Sequence, residues 1–149
     1  MGSDSFTVEF LELMAFSLDP RLAADTLFAA QFPLCEVRVM NDVRYPWLVA
    51  VPRVPGAVEL FGLAPGDAAQ VWAEIQALGT LVAGLPGVDK VNIGALGNMV
   101  RQLHIHIVGR NDNDPAWPGP VWGHSPAKPY EPNEAAQLIE HVVGLAHKF

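Results

Sequence analysis

The chain has 149 residues, half of them hydrophobic, including 4 Trp and 7 Phe; this is enough for one domain around one core and excludes a disordered chain. Nine basic residues against 16 acidic give a formal net charge of −7. That balance argues against nucleic acid or an anionic membrane as partner, while still allowing a local phosphate site made from backbone N–H groups and histidine. The single cysteine, Cys35, rules out an intrachain disulfide and suits a reducing compartment.

Residues 10–16 form a short apolar run, but Glu9 precedes it and Glu12 interrupts it. It lacks the basic start of a signal peptide. No stretch approaches the ~20 apolar residues of a membrane-spanning helix, so the expectation is a soluble cytoplasmic protein. Asp19-Pro20 opens the first helix signal, with Asp as cap and Pro at the first helical position. Residues 21–30 are mostly helix formers, and Pro33 ends them. Residues 34–40 alternate, with Glu36 and Arg38 on one side and Cys35, Val37 and Val39 on the other, which predicts a strand ending at Asn41-Asp42. Residues 47–51, Trp-Leu-Val-Ala-Val, predict a second strand stopped by Pro52, close enough to the first for an antiparallel hairpin.

A linker with Gly56, Gly62 and Pro65 follows. From Asp67, read as an N-cap, to about Ala83 the period becomes helical, with Val71, Ile75, Leu78 and Val82 on one stripe and Gly84 and Pro86 as the stop. Residues 88–95 predict a third strand, and Gly94 to Asn98 a turn. Residues 111–132 are rich in Pro, Gly and Trp, the sort of long irregular segment that is often functional or interfacial. Trp117 and Trp122 there can pack as core or subunit contacts, or wall a pocket against a base. Asn133 is read as the cap of a last helix over 134–147. The sum is one α+β domain, 1–149, with an antiparallel sheet, a core at about 34–110, and a C-terminal loop and helix at 111–149.

The strand before that loop carries the chemistry. Gln102-Leu103-His104-Ile105-His106-Ile107-Val108 alternates with period two. Leu103, Ile105 and Ile107 would face a core, while Gln102, His104 and His106 would share the other face. Three readings apply. The pair can be two half-exposed surface histidines. It can be half of a metal site, but a stable site needs three or four ligands, and only loop residues such as Asp112, Asp114 and His124 could complete it. Or it can serve phosphorus chemistry, in which a neutral imidazole attacks phosphorus while its second nitrogen is held as a donor to a backbone carbonyl. A second His two residues on can then donate to a phosphate oxygen or the departing group. The last reading explains the spacing without further metal ligands.

Gln-Leu-His-Ile-His-Ile-Val resembles the histidine-triad (HIT) motif, His-φ-His-φ-His-φ-φ, with Gln102 at the first His. The resemblance extends over most of 34–110. Val39-Met40-Asn41-Asp42 followed by Trp47-Leu48-Val49-Ala50-Val51-Pro52 is similar to the family's first hairpin. Val91-Asn92-Ile93-Gly94 and Gly97-Asn98-Met99-Val100 are similar to the strand and phosphate-binding turn before the triad. Arg110 falls where the family often has Arg. The pattern looks most like a bacterial HIT-like branch akin to diadenosine tetraphosphate hydrolases. The resemblance implies a HIT-like antiparallel sheet with flanking helices and His104 as the nucleophile that becomes nucleotidylated. It also implies His106 near phosphate and leaving group, Gln102 as a neutral phosphate donor, and nucleotide contacts at Asn41, Asp42, Asn92, Asn98 and Met99.

The implied activity is hydrolysis at the α-phosphate of a dinucleoside polyphosphate or nucleoside phosphoramidate. The alternatives are a nucleotide-binding or sensing module with little turnover, or a nucleotidyl transferase. The resemblance also implies no metal held by the protein, Mg²⁺ only as companion of a polyphosphate substrate, a small-molecule nucleotide as ligand, and a homodimer. The sequence departs from the family at Gln102, at Met99 where Ser or Thr is common, at Trp47 near a further family His, and in a shortened Gly-rich turn. These departures bear on rate and substrate more than on fold.

Overall fold

The computed structural model describes residues 15–149. The apolar run noted at 10–16 lies, up to residue 14, outside the described residues. Among the described residues the order is α1 (Pro20–Asp25), β1 (Thr26–Gln31), β2 (Cys35–Met40), β3 (Trp47–Pro52), a 3-10 turn at Leu60–Gly62, α2 (Pro65–Ala83), β4 (Lys90–Gly94), β5 (Ile105–Arg110) and α3 (Ala136–Ala146). All neighbouring strands run antiparallel in one five-stranded sheet, ordered β1-β2-β3-β5-β4. The α+β class with an antiparallel sheet and flanking helices holds, with one strand more than the sequence reading supplied.

That extra strand is β1. The helix expected over 21–30 ends at Asp25. Its alanines favour a helix, but Pro33 turns the chain back tightly, with the Phe32 N–H donating to the Cys35 carbonyl at 2.8 Å. The ladder to β2 then prevails over local propensity. A bulge between Phe28 and Ala30 lets both Ala29 and Ala30 face inward. Two helix starts also differ from expectation. Pro65 occupies the first position of α2 after Ala64, so Asp67 sits inside the first turn, favoured by the positive helix end, and is not the cap. The last helix begins at Ala136 after Ala135, and Asn133, read as its cap, adopts a left-handed turn at φ 70°.

The two faces of the sheet are covered differently. One packs on α2 and α3 through Val37, Val39, Leu48, Ala50, Leu103, Ile105 and Ile107 against Val71, Ile75, Leu78, Val82 and Val142. The stripe of α2 matches its periodicity, with one addition: Glu74 is fully buried. Its carboxylate accepts from the backbone N–H of Cys35 at 2.9 Å and of Leu34 at 3.1 Å, and from the Gln70 amide at 2.9 Å. It thereby holds the β1–β2 return. Burial, with Glu74 alongside, pushes the Cys35 thiol well up, so the lone cysteine is an inert core residue.

The other face carries Trp47, Val49, Val51 and Val108. It is covered by Leu22 of α1 and by Ala116 and Val121 of the loop after β5, with Phe16, Leu18 and Trp122 at the margin. All six residues of β3, and all six of β5, are buried. Gly109 in β5 has to be glycine, because a Cβ there would lie 2.7 Å from Pro46 Cγ and 2.9 Å from Val88 Cγ2.

Candidate active site

The ladder of β5 starts at Ile105, pairing with Ala50 of β3. Gln102, Leu103 and His104 reach it as an extended segment outside the ladder, tied by the Leu103 N–H to the Ala57 carbonyl at 2.9 Å. His104 and His106 stand edge to face with ring centroids 4.9 Å apart. They are only 7% and 5% exposed. The face expected to be half open is therefore enclosed, because α1 and the segment after β5 fold over it.

The hydrogen bonds of the two rings assign their tautomers. His104 Nδ1 lies 2.7 Å from the Gln102 carbonyl oxygen. A carbonyl only accepts, so Nδ1 carries the proton, and the neutral ring presents an unprotonated Nε2. For His106 the order is reversed. The Trp47 indole N–H donates to His106 Nδ1 at 3.0 Å, and indole only donates, so Nδ1 is bare and the proton sits on Nε2. Trp47 reaches it diagonally across the ladder, since its direct partner is Val108. Burial, with the His104 ring alongside, pushes the His106 pKa down from 6.5 to about 4. Near neutrality His106 is thus a neutral ring with its proton fixed on Nε2, beside a His104 ring whose Nδ1–H is fixed by the Gln102 carbonyl.

These rings open on a groove of about 500 Å³, walled by Leu22, Met40, Asp42, Asn98, Met99 and Trp122. Asn98 and Met99 belong to the connection from β4 to the histidine segment, where Gly97 takes φ 69°. Of the residues expected around a nucleotide, Asn98, Met99 and Asp42 line the groove. Asp42 is buried, and both its oxygens accept from Arg44, at 2.9 and 2.8 Å. Burial works to raise its pKa, but the Arg44 bonds more than offset this and hold the carboxyl below its usual range.

Three expected site residues are committed elsewhere. Asn41 accepts the Tyr130 N–H on its side-chain oxygen at 2.9 Å and lines a different hollow, beside α3. The Asn92 oxygen accepts from Arg110 at 2.9 Å. Gln102 does not line the groove; its amide donates to the Ser17 carbonyl and accepts the Asp19 N–H, both at 2.8 Å. With one N–H and the oxygen engaged by backbone partners, and the side chain outside the groove lining, the members of the row that face the groove are His104 and His106.

The segment after β5 is held by buried charge. Arg110 donates to both oxygens of Asp114 at 2.8 and 3.0 Å and to the Gly119 carbonyl at 2.8 Å. It also lies 5.8 Å from the Trp117 ring centre and 5.9 Å from that of Tyr45. Arg44 adds bonds to Ser125 and to the Pro126 carbonyl. Thus anchored, the segment brings Trp122 within 5.5 Å of the His106 ring centre and over Gly94, where a Cβ would already lie 3.4 Å from the indole. Trp122, not Trp117, is the pocket wall. Sequence reasoning did not assign roles to Leu22, Met40 or the Trp47 N–H; only the composition of residues 111–132 signalled any of this. Among the described residues no three His, Cys, Asp or Glu side chains converge as a metal site.

Comparison with known proteins agrees with this fold. The model of the HIT domain family matches residues 21–113, more than half of the chain. Three solved bacterial structures are similar throughout. A histidine triad protein of Marinobacter aquaeolei is 42% identical, with TM-score 0.86, covering 90% of this chain and 98% of its own. A histidine triad (HIT) protein of Sinorhizobium meliloti is 42% identical, with TM-score 0.83, covering 85% and 94%. A histidine triad protein of Bradyrhizobium japonicum is 41% identical, with TM-score 0.83, covering 86% and 96%. No curated protein matches.

Proposed function

The chain belongs to the HIT domain family, and on that premise we propose that it hydrolyses a nucleotide conjugate at the α-phosphate, through a nucleotidyl-His104 intermediate. The observation that carries this reading is the tautomer pair: Nδ1–H of His104 held by the Gln102 carbonyl, and Nδ1 of His106 held by Trp47. The Nε2 lone pair of His104 forms the N–P bond as the bond from phosphorus to the leaving group breaks, with its electrons going to the leaving atom. The nucleotidylated ring is then cationic and keeps its Nδ1–H bond to the carbonyl. Water attacks next, the N–P bond breaks back to Nε2, a proton passes to solvent, and the nucleoside monophosphate is released. His106, the Asn98 amide and the backbone N–H of Met99 are the donors for the phosphoryl oxygens. Asp42, which lines the groove with its carboxylate bonded to Arg44, would form part of the ribose side.

Neither Gln102 nor neutral His106 is an acid. The site therefore suits a leaving group that departs as a stable anion, and we favour a dinucleoside polyphosphate over a phosphoramidate, whose amine needs a proton. Because the donor set stops at two histidines, no resident metal is required; Mg²⁺ would travel with the polyphosphate. We also propose a homodimer across the open edge of β4, where Ile93, Trp72, Leu60 and Phe61 are exposed, with the cytoplasm as compartment. No helix among the described residues is long and apolar enough to cross a membrane.

The test is to incubate the protein with dinucleoside polyphosphates and nucleoside phosphoramidates, with and without acceptor phosphates or sugars, and to follow products and intact protein mass. Monophosphate release with a transient nucleotidyl adduct on His104 is expected. Transfer to an acceptor in place of water makes it a transferase. Tight binding without product makes it a binding module.

A further inference from the structure

Gln102 contacts two parts of the site at once. Its main-chain carbonyl holds the His104 ring at 2.7 Å. Its side-chain amide donates to the Ser17 carbonyl and accepts the Asp19 N–H, each at 2.8 Å, across more than eighty residues of chain. The Asp19 carboxylate then caps α1 by accepting the Arg21 N–H at 2.8 Å. α1 has only 6 residues, too few to persist without tertiary support. Yet two of its residues, Leu22 and Asp25, line the groove.

We propose that Gln102 is a positioning residue that sets the spacing between the attacking imidazole and the α1 wall of the nucleotide groove. A carboxamide sets a donor N–H and an acceptor oxygen side by side, matching a backbone C=O and an N–H two residues apart. The two nitrogens of an imidazole diverge, so a histidine here would keep at most one of the bonds. The amide at the first place of the motif therefore exchanges a group facing substrate for a clamp on the segment that flanks it. Val100 and Met40, packed at the margin of the same apolar cluster as Phe16 and Leu18, complete the seat into which the clamp draws that segment. The nucleotide as ligand rests on the function proposed above; the clamp itself does not.

Two substitutions break the clamp from opposite ends. Gln102→Leu removes both bonds at similar size. Asp19→Pro removes the N–H together with the carboxylate cap, at a residue whose φ of −55° proline accepts. Asp19→Ala is the control, losing the helix cap but keeping the N–H. Steady-state hydrolysis should show KM raised about tenfold by Gln102→Leu and by Asp19→Pro, in line with the loss of one or two hydrogen bonds, with kcat within about threefold. In the Gln102→Leu background, where the clamp is already gone, Asp19→Pro should be no worse than Asp19→Ala. Asp19→Ala should fall clearly short of Asp19→Pro. Hydrogen exchange should show the Asp19 amide losing protection in Gln102→Leu.

A fall in kcat at unchanged KM would mean that Gln102 acts on the phosphoryl group and would overturn the proposal. So would full additivity, or an Asp19 amide that stays protected in Gln102→Leu. If the parent neither binds nor turns over nucleotides, the function proposed above fails, and the loss or retention of Asp19 amide protection still decides the clamp.

Discussion

The two faces of the sheet bury comparable apolar strand residues, yet they are closed by different means. The α2–α3 face is sealed by regular helices whose stripes, Val71, Ile75, Leu78 and Val82, interlock with the strands. The histidine face is sealed by the six-residue α1, through Leu22, on one side and by irregular chain, through Ala116 and Val121, on the other. Irregular chain satisfies only part of its own backbone polar groups, here in turns such as Gly119 N–H to the Ala116 carbonyl. It is therefore pinned by polar side chains, Arg110 buried and Arg44 and Gln102 half-buried: Arg110 on Asp114 and Gly119, Arg44 on Asp42 and Ser125, Gln102 on Ser17 and Asp19. A face closed this way can be shaped around a ligand, and its closure depends on a few charges rather than on a broad apolar stripe.

The sharpest separation of the faces is chemical. His104→Ala should lower turnover by about three orders of magnitude or more, because a covalent route has no substitute for its nucleophile. Nucleotide binding should persist, since Asp42, Asn98 and Trp122 remain, and thermal melting should change little. Activity within tenfold of the parent would remove His104 as the attacking group.

Next in size is the loss of a pin. Arg110→Ala should destabilise by roughly 3–5 kcal/mol, because it strands the buried Asp114 carboxylate. Leu78→Ala, on the helical face, should cost a similar 2–5 kcal/mol by leaving a cavity. The two differ in kind. Arg110→Ala should also release the segment that carries Trp122, loosening nucleotide binding before global unfolding, whereas Leu78→Ala should leave binding of the folded fraction intact. Denaturant titration alongside nucleotide affinity separates them. Equal effects on affinity would mean that the Pro- and Trp-rich segment does not depend on its arginine.

The same contrast explains what could be read from the sequence. The α2 stripe and the β2–β3 hairpin follow local periodicity, so they were visible. The motif around His104 and His106 was visible too, because its chemistry is compact in sequence. β1 was hidden, since an Ala-rich stretch has no local sign that a neighbouring strand will capture it. The continuous apolar run Trp47 to Val51 did carry a missed signal: a strand with no polar alternation is covered on both sides. The Trp47–His106, Arg110–Asn92 and Gln102–Ser17 bonds join residues 18 to 85 positions apart, and no local pattern encodes them. Hence Asn92 and Gln102, placed near a nucleotide by their position beside the motif, turn out to be occupied as struts.

Acid should attack the histidine face first. His106 has a folded pKa of about 4 against an ordinary 6.5. Above pH 6.5 both folded and unfolded states leave it neutral. Between 6.5 and 4 the unfolded chain takes the proton and the folded chain does not, so stability falls as pH falls, by at most roughly 3 kcal/mol over that window. Protonation would also set an Nδ1–H against the Trp47 N–H. Trp47→Phe removes that opposition, so its stability should decline less steeply with acid while being lower at pH 8 by about 1 kcal/mol for the lost hydrogen bond. Unfolding titrations of parent and variant from pH 8 to 4.5 measure both slopes. Identical slopes would mean that the indole does not govern the protonation of His106.

The smallest expected effect is at Met99, a member of the groove wall that is 77% exposed. The family resemblance puts Ser or Thr here, which would suggest that Met99→Ser repairs a missing hydroxyl. The geometry argues otherwise. Met99 stands at the lip of the turn through Gly97, and what the position offers a phosphate is its backbone N–H, which the substitution leaves in place. A serine hydroxyl adds one solvent-competed donor, worth about 1 kcal/mol or less. Met99→Ser should therefore change kcat/KM by no more than about fivefold, and stability hardly at all, because the side chain packs little. A gain of a hundredfold would show that the site had been waiting for that hydroxyl, and that the turn, more than the histidine pair, limits its chemistry.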